Sequence, residues 1–137
     1  MPVSKTAQQL VAAANAEIRS VVAADGIALL GRDDVTLVDL RDIRERIREG
    51  FVPGSLHAPR GMLEFWVDPE SPYHRDVFAG GQHFVFYCAS GWRSALATKA
   101  VQDMGLEPVS HLSDGFTGWV KAGGPVRKTD DGREPKS

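Results

Sequence analysis

The sequence is poor in cysteine, and neither sign of charge is in clear excess. Its 137 residues include one cysteine, so an intramolecular disulfide and a cysteine-rich zinc site are both excluded. The net charge of −2 argues against a dedicated nucleic-acid binder, because such proteins carry a basic excess. No apolar run approaches the roughly 20 residues needed to cross a bilayer. The N-terminus lacks the apolar stretch of a signal peptide. We therefore expect a cytoplasmic protein without membrane or nucleic-acid partners, in which the lone thiol stays reduced.

The length and composition fit one globular domain with extensions at both ends. Hydrophobic residues make up 42% of the chain and charged residues 25%, which is ordinary for a folded soluble domain. Helical spacing of apolar residues near the start predicts an N-terminal helical extension over residues 1–17. The main domain is expected over 18–127. The mixed-charge segment 128–137 has little apolar surface to bury, so we expect a flexible tail.

Short apolar runs alternate with amphipathic segments along the main domain. The patterns predict strands near 18–21, 35–40, 56–57, 83–88 and 109–112. They predict helices near 4–15, 24–30, 41–49, 96–104 and 116–122. This alternation is typical of an α/β fold with a mainly parallel sheet flanked by helices. Ligands of such folds bind at the carboxyl ends of the strands.

Cys88 lies at one of these carboxyl ends, directly before a helix. The loop reads Cys88, Ala89, Ser90, Gly91, Trp92, Arg93, Ser94. Main-chain N–H groups of a tight turn and the helix dipole favour a thiolate over a thiol. Gly91 permits a backbone that a side chain would block, and Arg93 adds a permanent cation. The loop therefore predicts a nucleophilic cysteine beside an anion site.

Each of these residues also has a purely structural interpretation. A lone cysteine after an apolar strand can be a small buried hydrophobe. Trp92 can pack over the loop or form one wall of a pocket, and Ser94 can cap the helix or donate to the loop.

Several stretches, in order along the chain, carry a family resemblance. They are 37–41, Glu45, 50–61, the loop 88–94, 112–119 and the Gly-Gly-Pro at 123–125. Together they span about residues 18–126, and in this order they resemble the single-domain rhodaneses, which are sulfurtransferases. The resemblance implies a rhodanese-like three-layer α/β domain, to which the N-terminal helix is an addition.

The resemblance also implies a mechanism. Cys88 would attack the sulfane sulfur of thiosulfate or another persulfide donor, and sulfite would leave thiosulfate. A thiophilic acceptor would then remove the outer sulfur from the Cys88 persulfide. The loop N–H groups from Ala89 to Ser94 would hold the negative charge, and Arg93 would attract the donor. The implied partners are small sulfur-containing anions and thiols, or a protein sulfur donor or acceptor.

Two other functions remain open. One is a sulfur carrier or partner-binding module that turns over small donors poorly. The other is a phosphatase or arsenate reductase on the same fold, in which the loop is one residue longer. Only four residues separate Cys88 from Arg93 here, so the cradle suits one sulfur atom better than a phosphate. The loop also lacks the carboxylate that would serve a phosphatase as general acid.

Supporting residues are expected near the same edge of the sheet. Asp39 and Arg41 end a strand there and either fix neighbouring loops or tune the site. Arg60 supplies a second cation or is simply solvated. The aromatic segment 61–76 either covers the carboxyl edge or closes the core. The four histidines, His57, His74, His83 and His111, have no metal-ligand spacing, so neither a metal nor another cofactor is expected.

Overall fold

The computed structural model describes residues 3–135. Residues 1–2 of the predicted extension and 136–137 of the predicted tail lie outside this range. Five strands form one sheet: β1 (Arg19–Val21), β2 (Val35–Asp39), β3 (Leu56–His57), β4 (His83–Tyr87) and β5 (Val109–Leu112). All neighbouring pairs are parallel, in the order β1-β5-β4-β2-β3. The predicted parallel α/β sheet is confirmed.

Six α-helices accompany the sheet within the described residues. They are α1 (Ala7–Asn15), α2 (Ala23–Ala28), α3 (Ile43–Glu49), α4 (Leu63–Val67), α5 (Trp92–Asp103) and α6 (Gly115–Lys121). Short 3-10 turns occur at Arg60–Met62 and Asp76–Ala79. The aromatic segment to which the sequence assigned no elements thus contains α4 and parts of both turns.

The central strand β4 divides the core into two halves. Successive side chains of a strand point to opposite faces of the sheet. Phe84 and Phe86 pack with residues of α4 and α5, namely Leu63, Val67, Ala97 and Val101. Val85 and Tyr87 pack on the other face with Phe116 and Trp119 of α6. Helices therefore cover both faces, and Cys88 emerges between these two layers.

The N-terminal helix α1 is anchored at both its start and its buried face. Thr6 caps the helix by accepting from the Gln9 amide at 3.1 Å, and the Gln9 side chain accepts from the Thr6 amide at 2.8 Å. Such reciprocal bonds satisfy amides that the first turn leaves without partners. Val11 and Ala14 are buried with Ala95 of α5. The extension is thus packed on the helix that follows the cysteine loop.

The C-terminal segment contacts α3 within the described residues. Composition predicts a flexible tail from residue 128, whereas Gly132 is buried and its carbonyl accepts from Arg46 Nε at 2.7 Å. Glu134 accepts from the Gly54 amide at 3.0 Å. The physical reason is the buried Arg46 guanidinium, which requires acceptors that its own helix does not supply.

Candidate active site

The loop after β4 directs main-chain amides at the Cys88 sulfur. Sγ accepts from the Gly91 amide at 3.2 Å and from the Ser94 amide at 3.4 Å. Cys88 is only 1% exposed, so these donors act in a shielded environment where they are worth more than in water. Two of the amides expected to face the sulfur therefore do so, and the arrangement stabilises negative charge on it.

Two glycines allow this loop to pack closely on its neighbours. Gly91 has φ +103°, and a Cβ there would lie 2.4 Å from the Ser113 carbonyl oxygen. Gly115 has φ +60°, and a Cβ there would lie 2.6 Å from the carbonyl oxygens of Cys88 and Ala89. Both positions thus require glycine for space as well as for backbone conformation.

The first turn of α6 holds the loop in place. The Phe116 amide donates to the Cys88 carbonyl at 2.8 Å, and the Thr117 amide donates to the Ala89 carbonyl at 3.1 Å. These bonds occupy the loop carbonyls, which leaves the loop amides as the groups beside the sulfur. The sequence did not predict this support, although residues 112–119 are among the stretches that carry the family resemblance.

Arg93 is not a free cation in this structure. Its two terminal nitrogens donate to the Glu45 carboxylate at 2.8 and 3.0 Å. The hydrogen bond from Arg93 lowers the pKa of Glu45, and its reciprocal raises that of Arg93. Arg93 is 41% exposed and Glu45 18%, so the pair is open to solvent on the arginine side. The expected cation is therefore present but paired with the Glu45 carboxylate of α3.

Ser94 lies behind the sulfur and does not cap α5. The cap position is Gly91, which makes no side-chain bond, and Ser94 lies in the first turn. Its Oγ is 3.6 Å from Cys88 Sγ and 2.9 Å from His111 Nδ1. Its side chain thus contacts the Cys88 sulfur, and the expected cap of α5 is not formed.

His111 of β5 is a buried residue whose contacts the sequence did not predict. It is 1% exposed, and burial lowers its pKa to about 4. Its Nε2 lies 3.0 Å from Asn15 Oδ1 at the end of α1 and 3.4 Å from Ser20 Oγ. A histidine inside a short predicted strand that also contains Val109 and Leu112 was the available signal, because buried polar side chains require partners.

Asp39 and Arg41 form a fully buried ion cluster. The Asp39 carboxylate accepts from Arg41 at 2.9 and 3.0 Å, from Arg46 at 3.0 Å and from the Tyr87 hydroxyl at 2.9 Å. Burial alone raises the pKa of Asp39, but the hydrogen bonds and charge of Arg41 outweigh it and lower that pKa. Arg41 also donates to the Gly50 carbonyl at 2.8 Å. The cluster thus ties β2 and β4 to the start and end of α3.

The remaining candidates are Ser90 and Trp92 of the loop, Arg60 and the aromatic segment 61–76. Ser90 is exposed and Trp92 is 51% exposed. Arg60 donates to Glu64 at 2.7 Å, so the structure gives it a local partner on α4. In the aromatic segment, Leu63 and Val67 are buried, whereas Phe65 is 52% exposed. That segment therefore closes the core on one side and exposes an aromatic ring on the other.

Residues 3–135 offer neither a metal site nor a membrane-spanning helix. No three acidic, histidine or cysteine side chains in this range are placed together to hold a metal ion. None of the helices in that range has the length and apolar character required to span a membrane.

This geometry agrees with comparisons with known proteins. The model of the rhodanese-like domain family matches residues 22–122, so the chain belongs to that family, which includes sulfurtransferases. The predicted rhodanese-like fold is thereby confirmed. A mouse thiosulfate sulfurtransferase/rhodanese-like domain-containing protein 3 is 28% identical over 98 residues, which cover 68% of this chain and 62% of that protein. The chain spans less than two thirds of the length of the curated relatives it matches.

Two solved structures are close in fold and sequence. A Rhodopseudomonas palustris protein, described as of unknown function and as a possible tyrosine phosphatase, has 49% identity and a TM-score of 0.90. That match covers 93% of this chain and 98% of that one. The polysulfide-sulfur transferase homodimer of Wolinella succinogenes has 29% identity and a TM-score of 0.65, with coverage of 87% and 85%. These relatives bear different functional descriptions on one fold, so the choice of chemistry rests on the site.

Proposed function

We propose that this protein is a sulfurtransferase that carries sulfane sulfur as a Cys88 persulfide. The observation that supports the proposal most directly is the pair of amides from Gly91 and Ser94 on the sulfur, at 3.2 and 3.4 Å. They stabilise the thiolate that must attack the donor. With thiosulfate, the Cys88 sulfur bonds to the outer sulfur, the S–S bond of thiosulfate breaks, and sulfite leaves with the bonding pair.

The outer sulfur of the persulfide would then carry negative charge in the same loop. We assign this charge to main-chain amides between Ala89 and Ser94 that do not contact Sγ. A thiophilic acceptor, a thiol or cyanide, attacks the outer sulfur and regenerates the Cys88 thiolate. Because the sulfur is almost fully shielded, we infer that small donors enter past the exposed Ser90 and the half-exposed Arg93.

The experiment is a thiocyanate assay with thiosulfate and cyanide on the wild type and on Cys88→Ser. We expect thiocyanate from the wild type and none from the variant, because Cys88 is the only cysteine. Wild-type protein treated with thiosulfate should gain the mass of one sulfur atom, and cyanide should remove it. Full activity of Cys88→Ser would refute the mechanism.

A carrier function is the first alternative, and the same assay separates it from an enzyme. A carrier would show cyanide-labile sulfur on Cys88 together with slow turnover of thiosulfate. Its physiological donor would then be a protein persulfide or polysulfide. The likeness to the Wolinella polysulfide-sulfur transferase supports testing polysulfide as donor beside thiosulfate.

A phosphatase function is the second alternative, because the Rhodopseudomonas structure is described as a possible tyrosine phosphatase. The loop argues against it in two ways. Only four residues separate Cys88 from Arg93, and the loop contains no carboxylate to protonate a leaving group. Hydrolysis of an aryl phosphate by the wild type, without thiocyanate formation, would favour the phosphatase.

A further inference from the structure

We propose that His111 is a positioning residue for Cys88, and that the N-terminal helix belongs to the active site because Asn15 holds His111. The inference rests on the proposed function only in taking Cys88 as the nucleophile. It assigns a role to two residues outside the cysteine loop, 17 and 79 positions from Ser94, and to a helix that precedes the family match, which begins at residue 22.

The contacts form a continuous chain from the sulfur to the surface. Cys88 Sγ lies 3.6 Å from Ser94 Oγ, Ser94 Oγ lies 2.9 Å from His111 Nδ1, and His111 Nε2 lies 3.0 Å from Asn15 Oδ1. The first three residues are at most 1% exposed, whereas Asn15 and Ser20 at the far end are exposed. The chain is thus the one hydrogen-bonded route that the described side chains offer from this thiol to solvent on the α1 side.

The chain has two internally consistent hydrogen-bond directions. With a thiol, the Cys88 S–H donates to Ser94, the Ser94 hydroxyl donates to His111 Nδ1, and Nε2–H donates to the Asn15 carbonyl oxygen. With a thiolate, the Ser94 hydroxyl donates to Sγ, His111 Nδ1–H donates to Ser94, and Nε2 accepts from the Asn15 amide nitrogen after that side chain turns over. Only the second direction stabilises a thiolate, because only then does a hydroxyl donate to it.

The protons balance between these two states. The Sγ proton passes to Ser94, the Ser94 hydroxyl proton passes to His111 Nδ1, and the Nε2 proton leaves to water beside Asn15 and Ser20. The net change is one proton lost from the sulfur, and His111 is neutral at both ends of the exchange. A neutral imidazole is consistent with its burial, which lowers its pKa to about 4. An imidazole suits this exchange because one ring nitrogen accepts while the other donates.

Charged side chains near this series of hydrogen bonds do not explain a link between His111 and the protonation of Cys88. The side chains that contact His111 from α1, β1 and α5 are Asn15, Ser20 and Ser94, and none of them is charged. On the elements next to Cys88, α5 supplies Arg93, α3 supplies its partner Glu45, and the end of β2, which pairs with β4, supplies the Asp39–Arg41 pair. These charged groups stay unchanged in the variants below. A difference in the Cys88 titration therefore reports on the hydrogen bonds that link Ser94, His111 and Asn15.

The test measures the rate of Cys88 alkylation by iodoacetamide against pH in the full chain. His111→Gln removes the ring atom that contacts Ser94. We expect the midpoint of the pH profile of alkylation to rise by about 0.5 to 1 pH unit, the equivalent of one hydrogen bond. His111→Asn places an amide where Nδ1 lies, so it should recover at least half of that shift. Asn15→Ala should raise the midpoint by a smaller amount, because Ser20 remains beside Nε2.

The matched control is Gln8→Ala on the exposed face of α1, which should leave the midpoint unchanged. Unchanged midpoints in both His111→Gln and Asn15→Ala would overturn the inference. Asn15 is exposed, so its replacement should leave the fold intact. If the His111 variants fail to fold, an unchanged midpoint in Asn15→Ala alone overturns the inference. If the midpoints shift but no thiocyanate forms, the sulfurtransferase proposal is refuted and the role of His111 is supported. If thiocyanate forms but the midpoints do not shift, the sulfurtransferase proposal is supported and the role of His111 is refuted.

Discussion

Arg93 and Glu45 join the first turn of α5 to the first turn of α3 through two parallel hydrogen bonds of 2.8 and 3.0 Å. The geometry fixes a guanidinium beside the cysteine loop and simultaneously places a carboxylate near any anion that approaches it. The bidentate pair thus orients the cation and weakens its attraction for an anionic donor.

The two members of this pair should affect thiosulfate binding in opposite directions. Arg93→Ala removes a cation, so we expect KM for thiosulfate to rise by about three- to tenfold. Glu45→Gln removes the opposing carboxylate while it keeps a hydrogen-bonding group, so KM should fall. Steady-state kinetics at low and high salt measure both, since screening should shrink each effect. A rise in KM for Glu45→Gln would mean that orientation outweighs charge.

Gly115→Ala should damage the site from outside the loop. The new Cβ would lie 2.6 Å from two loop carbonyl oxygens at a φ of +60°, so the loop must shift. We expect a loss of stability of about 1 to 3 kcal/mol and a lower kcat. Gly61→Ala is the control, because nothing lies within 4 Å of a Cβ there. Equal effects of the two variants in urea unfolding and turnover would contradict the packing argument.

Asp39→Asn should destabilise the fold strongly, because it leaves Arg41 and Arg46 buried without their counterion. The expected loss is about 3 to 5 kcal/mol in urea unfolding. The pKa of Asp39 is lowered in the folded state, which fixes the sign of the pH dependence. The contribution of Asp39 to the free energy of unfolding is present above the ordinary pKa of aspartate, and it is lost as the pH falls through the lowered pKa of the folded state. Asp34→Asn, in an exposed pair with Arg32, should change stability little.

His111 should make the fold sensitive to mild acid in a separate pH window. Its folded pKa is about 4, whereas histidine in an unfolded chain titrates near about 6.5. Between these values the unfolded state binds more protons, so stability falls as pH falls, by up to about 3 kcal/mol. His111→Asn should flatten the stability profile between these two pH values. A variant profile parallel to the wild type would contradict the assignment.

The C-terminal segment should contribute measurably to stability. Removing residues 129–137 takes away the Gly132 carbonyl and leaves the buried Arg46 Nε without that acceptor. We expect a loss of about 1 to 3 kcal/mol. Lys128→Ala, at an exposed position of the same segment, is the control and should unfold like the wild type. If both chains unfold at the same urea concentration, the contact with α3 contributes nothing.

Local patterns predicted the sheet and the cysteine loop because both are written in consecutive residues. The apolar run at 83–87 and the Gly91 turn mark where Cys88 lies, without reference to the rest of the chain. Helix α4 was not predicted because five residues contain too little periodicity. The partners of Cys88 and Arg93 were missed for another reason. His111, Glu45 and Asn15 reach the site only through tertiary packing, over sequence separations that no local pattern encodes.

The 137 residues contain one thiol, that of Cys88, and its sulfur is buried. In the proposed cycle these residues therefore provide no second cysteine, so the outer sulfur of the persulfide cannot be released by forming a disulfide within them. Enclosure also hinders cross-linking of two chains through Cys88. In that cycle each turnover depends on an external acceptor that is small enough to pass the loop. The concentration of that acceptor would then set the lifetime of the Cys88 persulfide.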